Sequence, residues 1–350
     1  MKKYSKSVIS VLLVMVFMFT MIACSSSKET DETQSSAQQA PAEQSKETDV
    51  NAETDTSAAT EDASNAGVEG LRFGFMTSNP TLQFFVDIAD EFEGSLHEGD
   101  SAVSYSFDDD FEKQASTVSD LIAQKVDMII LNCVDADAVK GPLMEADAAG
   151  IPVIVYESKT NNPELVKTMV LSDDYACGYE AGQVLAEAMG KQGKVASFCW
   201  ERSELGQTRL KGLEDAIAEY PDMELVANYD DDTDLDTCLQ VVENMLQVHP
   251  EITGFYSFTE NGGLAAVSVF AAAGRDDIAI ATVDSGDSTL QYIADGKIYA
   301  GIDQQAGLLG KNIAECAYKY FNGEELEPIV YSPVKVITKD NVSDYGYTAE

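Results

Sequence analysis

The chain has only two histidines and one tryptophan, and its 22 basic residues face 61 acidic ones. His97 and His249 are far apart, each near the end of a helical stretch, so neither a histidine metal cluster nor a catalytic relay is supported. No Walker loop and no G-x-G-x-x-G occurs, which removes the common phosphate cradles. No nucleophile–base pair stands out either, so the sequence does not read as an enzyme and no cofactor is expected. Residues 71–350 hold 50 acidic against 17 basic residues, a net charge of about −33. That sign argues against nucleic acid and against anionic lipid as partners. After Cys24 only Cys133, Cys177, Cys199, Cys238 and Cys316 remain. An odd number so scattered is no disulfide framework, and in a monomer at least one thiol stays reduced; whether any of the others pair is left open. Small buried hydrophobes are the simpler role.

Long apolar runs are also missing. The uncharged run Val8–Ile22 has fifteen residues, short of the roughly 18–20 that cross a bilayer. Lys2, Lys3 and Lys6 precede it and Met21-Ile22-Ala23-Cys24 close it, the layout of a secretory signal over residues 1–23. The closing tetrad resembles a bacterial lipobox, with Met21 where Leu is usual. That resemblance implies cleavage before Cys24, lipidation of Cys24 and anchorage outside the cell membrane. The alternative is a plain signal peptide with a chance cysteine. From Ser25 to Gly70 the chain is mainly Ser, Thr, Ala, Gln, Glu and Asp, with Val50 and Val68 its only β-branched aliphatic residues and no aromatic residue. Such a stretch cannot offset its ordering entropy and is expected to be a disordered tether, residues 24–70 with the cysteine. Its root-mean-square reach is about 35–40 Å at roughly 5–6 Å × √n.

The body from residue 71 alternates two patterns. Short apolar runs read as buried strands at Leu71–Met76, Met128–Leu131, Val153–Tyr156, Val195–Cys199, Gly254–Phe258, Ile278–Val283 and Ile298–Ile302. Amphipathic helical stretches lie between them, among them Ala115–Gln124, Tyr179–Met189, Leu210–Tyr220 and Leu308–Phe321. Strand–helix alternation means an α/β fold of doubly wound parallel sheets, and so many strands divide better into two lobes than one sheet. Ligands of such sheets bind beyond the carboxyl ends of the strands. There the sequence places Phe84-Phe85, Asn132, Glu157-Ser158, Trp200, Arg209, Thr259-Glu260-Asn261, Asp284 and Asp303-Gln304. Carboxylates, amides, one Arg and flat rings are what a polyol needs: acceptors and two-headed amides for hydroxyls, rings for C–H faces.

Several segments then carry a resemblance: Phe84-Phe85-Val86, Ile129-Ile130-Leu131-Asn132, Ala149-Gly150-Ile151-Pro152, Ser172-Asp173-Asp174, Thr208-Arg209-Leu210-Lys211-Gly212, Thr282-Val283-Asp284 and Ala300-Gly301-Ile302-Asp303-Gln304. In this order and spacing the body, Leu71 to about Thr338, resembles the type I periplasmic binding proteins, in particular the ribose- and galactose-binding receptors of ABC importers. The resemblance implies two lobes joined by three hinge crossings. One lobe would be 71–172 plus 305–332 and the other 173–304 plus 333–350. It also implies reversible capture by hinge closure, with Phe85 stacking on the sugar and Arg209, Asp284 and Gln304 making polar contacts. Glu157 stands where the ribose-type site has Asp, one methylene shorter. Leu82 replaces an Asn, Ser158 an Arg and Thr259 an Asn, and Thr233 falls near an aromatic position. The frame is kept and the ribose pattern is not.

The candidate ligand-binding residues are thus Phe84, Phe85, Glu157, Ser158, Trp200, Arg209, Thr259, Asp284 and Gln304, with Cys24 as the lipidation site. Each has a plainer reading. Either or both Phe residues belong to the core, Asn132 is a strand-edge amide, and Arg209 is a salt bridge. Asp284 is a helix N-cap, and Trp200 packs a lid or hinge. Asp232, Asp234, Asp236 and Glu243 match calcium-loop spacing, but Thr237 stands where the loop requires Gly; an acidic helix cap explains most of this. The expected function is a lipid-anchored, monomeric receptor delivering a small solute, most simply a sugar, to ABC importer permease subunits. The alternatives are a sensory receptor acting on a membrane kinase or chemoreceptor, and an importer receptor for nucleosides or a furanose quorum signal.

Overall fold

A computed structural model describes residues 70–80, 82–230 and 234–349. The signal-like segment, Cys24 and the acidic stretch through residue 69 lie outside the described residues, as do Asp232 and Thr233. The strands are β1 (Arg72–Thr77), β2 (Ser101–Ser106), β3 (Met128–Leu131), β4 (Val153–Tyr156), β5 (Thr168–Ser172), β6 (Gln192–Phe198), β7 (Asp222–Tyr229), β8 (Gly254–Ser257), β9 (Ala279–Val283), β10 (Ala300–Asp303), β11 (Ile329–Ser332) and β12 (Lys335–Thr338). The helices are α1 (Gln83–Gly94), α2 (Phe111–Gln124), α3 (Lys140–Ala148), α4 (Asp174–Ala188), α5 (Glu204–Ala218), α6 (Leu235–Val248), α7 (Glu260–Ala273), α8 (Asp287–Asp295) and α9 (Ala306–Phe321).

These strands form two six-stranded sheets, ordered β11-β5-β4-β3-β1-β2 and β12-β10-β9-β8-β6-β7. All pairings are parallel except β10 with β12. The two orders match position for position, so one motif is used twice and β4 in the first lobe corresponds to β9 in the second. The chain passes between sheets three times: beyond Ser172, beyond Asp303 and beyond Ser332. This is the expected α/β architecture of two doubly wound lobes with three crossings.

Burial explains the strand order. β3 (MIIL) and β4 (VIVY) are buried at every position, as central strands covered on both faces must be. β2 and β7 carry exposed and half-buried residues and take the sheet edges. In the first lobe α1 and α9 cover one face over Phe73, Phe75 and Phe92, and α2 and α3 the other over Leu121, Ile129 and Leu143. In the second, α4 and α5 pack over Leu185, Leu213 and Tyr256, and α6 and α7 over Val242, Phe255 and Phe270.

Helix starts are set by side-chain caps that satisfy otherwise orphaned N–H groups. Asp110 accepts from Lys113 N, Asp173 from Ala176 N, Ser203 from Gly206 N and Asp234 from Thr237 N. α4 and α5 meet backbone to backbone. A Cβ on Gly178 would lie 1.7 Å from the Arg209 carbonyl oxygen, and one on Gly212 2.2 Å from that of Tyr175. This close crossing brings the first turn of α4 against the side chain of Arg209.

Candidate ligand-binding cleft

In the first lobe the wall is built at the carboxyl end of β4. Its residues Tyr156, Glu157 and Ser158 turn sharply, with Glu157 at a left-handed φ of 47°. Ser158 Oγ accepts from the backbone N–H of Cys133 at 2.6 Å and donates to Tyr156 O at 3.1 Å. Asn132 is a structural amide: its Nδ2 donates to Tyr156 O at 3.0 Å and its carbonyl accepts from Gln114. At the start of α1, Phe84 and Phe85 meet edge to face at 5.4 Å, and Phe85 lies 6.4 Å from Tyr156. Both are half-buried against the core of this lobe.

The wall of the second lobe centres on Phe258. Arg209 is buried, donating from Nε to Asp174 Oδ1 at 2.9 Å and from Nη1 to Phe258 O at 2.8 Å. Its guanidinium carbon lies 5.8 Å from the Phe258 ring centre. Trp200 packs on the same ring at 4.9 Å, with the Arg202 guanidinium 4.5 Å from its own ring. Thr259 follows Phe258, and its carbonyl accepts from Thr282 Oγ1 on β9 at 2.8 Å. Asp284 follows β9 in a left-handed conformation, φ 73°, the counterpart of Glu157 after β4. The N-cap of α8 is Gly286, so Asp284 does not cap that helix.

Gln304 stands where the chain returns to the first lobe. Its Nε2 donates to Ser172 Oγ at 2.9 Å and to Glu157 Oε2 at 3.3 Å, while Glu157 Oε1 accepts from Ser172 N at 2.5 Å. A cavity of about 330 Å³ opens beside this network. The first lobe lines it with Cys133, Val134, Ala136, Glu157, Ser158 and Lys159, and the second with Asp174, Trp200, Ser203, Glu204 and Leu205. A larger hollow of about 630 Å³ lies at the opposite edge of the second sheet, among Glu187, Arg275, Tyr299 and Asp340. It involves one lobe only and none of the expected site residues. The smaller cavity is the one that both lobes line.

The cleft is a poor place for charge. Burial pushes Glu157 up to about 7, with Asp174 adding to the shift and Ser172 and Arg209 opposing it. Burial likewise raises Asp284 to about 6 against the pull of Arg209, and raises Asp174. Three carboxylates thus share the field of one guanidinium, and Glu157 is near its titration midpoint at neutral pH. Arg209 meets the salt-bridge reading, paired with Asp174, which lines the cavity.

Of the residues expected from sequence, Glu157, Ser158 and Trp200 line the cavity directly. Arg209 and Thr259 flank Trp200 through Phe258, Asp284 and Gln304 complete the strand-end row, and Phe84 and Phe85 stand off it behind Tyr156. Asp174 was missed, although Ser172-Asp173-Asp174 stood out as a segment. With Asp173 engaged as the N-cap of α4, the next carboxylate is left to meet Arg209. Lys159 and Glu204 were missed too, because a charged pair from distant segments leaves no local pattern. Asp234 and Thr237 form the cap expected of the acidic helix start, and no group of three metal-ligating side chains occurs among the described residues. The five body cysteines are buried thiols, with Cys199 Sγ donating to Gly206 O.

Comparison with known proteins places this geometry. A family model for the periplasmic binding protein domain matches residues 73–325. The chain belongs to the periplasmic binding protein family. It is of type I and of the ribose-binding group. It is 28% identical to the ribose import binding protein of Bacillus subtilis (strain 168) over 79% of this chain and 90% of that one. It is 29% identical to the xylitol-binding protein of Mycolicibacterium smegmatis over 68% of each. Among solved structures, a periplasmic solute binding protein of an ABC transporter from Actinobacillus succinogenes, with bound D-allose, superposes with a TM-score of 0.74 at 26% identity, covering 79% of this chain and all of that one. These relatives are binding proteins. No helix of the described residues is long and apolar enough to cross a membrane.

Proposed function

We propose that this periplasmic binding protein captures a monosaccharide-sized sugar or polyol between its lobes and delivers it to the permease of an ABC importer. The observation that carries this reading is the two-sided cavity of about 330 Å³, whose polar groups are mainly carboxylates and hydroxyls beside a single aromatic wall. That volume is at the low end of the roughly 300–1,000 Å³ of ligand pockets, which suits one sugar ring. The relatives named above for ribose and xylitol, and the neighbour holding D-allose, support the same class.

In this reading Ser158, Asp284 and Thr259 serve hydroxyls, Arg209 donates to a hydroxyl or ring oxygen, and Trp200, Phe84 and Phe85 offer ring faces. Glu157 and Gln304 hold the rear of the cleft. The lobes comprise residues 71–172 plus 305–332 and residues 173–304 plus 333–350, closing on solute as a monomer. Residues 1–23 direct export, and lipidated Cys24 with the stretch to residue 70 tethers the body outside the cell membrane. Fractionating cells that express Cys24→Ser tests the anchor: the protein should leave the membrane fraction.

A thermal-shift panel of pentoses, hexoses, inositols, pentitols, nucleosides and amino acids tests the ligand class. A ligand at 100 times its dissociation constant stabilises the protein by about 2.7 kcal/mol. A shift with one sugar or polyol class supports the reading. A shift with nucleosides alone keeps the receptor and overturns the sugar assignment, and silence across the panel counts against both.

A further inference from the structure

Glu157 belongs to the first lobe, yet both oxygens of its carboxylate are bonded to the crossings. Oε1 accepts the backbone N–H of Ser172, the last residue of β5, at the point where the chain first leaves this lobe. Oε2 accepts from Nε2 of Gln304, just beyond β10, where the chain returns. The same Nε2 donates to Ser172 Oγ, so the three side chains close a ring around two of the three crossings. The third crossing is held beside it: Asp173 N donates to Ser332 O, and Gln305 Nε2 to Pro333 O. The left-handed turn at Glu157, φ 47°, follows a backbone bond from its own N–H to Val170 O.

We infer that Glu157 is a positioning residue for lobe closure, acting on the hinge through Ser172 and Gln304 as a clasp between two crossings. This rests on the solute-receptor reading but assigns Glu157 to the motion rather than to solute recognition alone. The clasp is tunable. Burial holds the Glu157 carboxyl near a pKa of about 7; Asp174 on α4 raises it, and Ser172 and Arg209 on α5 lower it. Tyr156 on its own strand and Cys177 on α4 are the other titratable groups coupled to it, and both are neutral there because burial raises their pKa values. As a carboxylate, Glu157 offers two charged acceptors to Ser172 and Gln304; once protonated, one oxygen carries a donor while acceptor capacity remains for the Ser172 N–H. Because burial in the clasped arrangement raises this pKa from 4.5 to about 7, the clasped state holds the proton more tightly than a solvent-exposed one, and the clasp loosens as pH rises through about 7.

Hydrogen–deuterium exchange on the full ligand-free chain tests this, comparing wild type with Glu157→Gln at the same pH so that chemical exchange rates cancel. The segment Thr168–Tyr175 should exchange at a similar rate in the two proteins at pH 6 and several-fold faster in wild type at pH 8. Gln304→Ala removes the opposite partner and should loosen the same segment. Equal exchange in wild type and both variants at pH 8 overturns the clasp. Trp200, the sole tryptophan and a lining residue of the cavity, gives a second readout. Its emission, followed while D-ribose, D-allose or myo-inositol is added, should report a dissociation constant that changes between pH 6 and 8 in wild type and not in Glu157→Gln. Sugar binding with the same pH profile in both proteins overturns the clasp and leaves the receptor reading standing. An exchange difference without any sugar response upholds the clasp and counts against the sugar.

Discussion

Asp284 is a partly buried carboxylate on a left-handed backbone position, φ 73°. Burial raises its pKa from 3.8 to about 6, with Glu260 and Asp303 adding to the shift and Arg209 opposing it. Because the folded-state value is the higher one, the folded protein binds more protons than the unfolded chain between about pH 4 and 6. The group's contribution is thus fully present below pH 4 and is lost as pH rises through 6. Ionising it costs about 3 kcal/mol of stability at neutral pH, at roughly 1.4 kcal/mol per pKa unit. Asp284→Asn removes that cost, and Asn tolerates the left-handed region well. The ligand-free variant should melt several degrees above wild type at pH 8, at roughly 2–4 °C per kcal/mol, and level with it at pH 4. It should also lose its shift with the sugar that stabilises wild type, since an acceptor for hydroxyls is gone. An unchanged or lower melting temperature at pH 8 would sink the electrostatic account. The sequence allowed Asp284 to be placed beyond a strand end, but not its titration, which depends on Arg209, Glu260 and Asp303 brought in from three other segments.

Between elements, the contact that matters most to the cleft is the crossing of α4 and α5. Gly178 lets the Arg209 carbonyl come so near that any Cβ there would overlap it, and the atoms it would meet, on Arg209 and Leu213, are backbone and cannot swing aside. Gly178→Ala must part the helices, and overpacking of this kind costs about 1–3 kcal/mol. Parting them draws Arg209 off Asp174, so solute affinity should fall by more than the melting temperature alone predicts. A variant that melts lower but binds as wild type would mean that the crossing supports only the fold. Legibility at this scale followed burial. The runs at Met128–Leu131 and Val153–Tyr156 were readable to the residue because both faces of β3 and β4 are apolar. β2 (SAVSYS) and β7 escaped notice because an edge strand exposes one face and looks like polar loop, and β11 and β12 because their short runs mix exposed and buried positions; β5 (TMVLS), though buried throughout, escaped too because Thr and Ser bound a core of only three apolar residues. Helix starts also ran earlier than the apolar spacing implied: α5 begins at Glu204, six residues before Leu210, because its first turn is held by the Ser203 cap and faces the cleft rather than the core.

On the scale of the whole molecule, the two lobes repeat one strand order without a short sequence repeat, so that their equivalence emerges only from the sheets. Few side-chain bonds among the described residues run between the lobes. Beside the Glu157 clasp, one ion pair among the described residues runs from lobe to lobe: Lys159 Nζ to Glu204 Oε1 at 2.7 Å, at the rim of the cavity. Glu204 sits in the first turn of α5, where the helix dipole already favours a carboxylate. Its side chain keeps 69% of its exposure and that of Lys159 36%, so the pair is worth about 0.2–1 kcal/mol and is screened by salt. Apparent affinity includes the population of the closed state, so even this small term is measurable in binding. Lys159→Glu sets two acids against each other across the cleft and should weaken solute binding by about two- to five-fold in 20 mM salt, chiefly through faster release. In 1 M salt, where the Debye length falls to about 3 Å, the difference should vanish. Exchanging the pair, Lys159→Glu with Glu204→Lys, should recover part of the loss but not all, because a lysine at the helix start opposes the dipole. A double-mutant cycle with no coupling at low salt would mean that the lobes are held closed by the solute and the hinge alone.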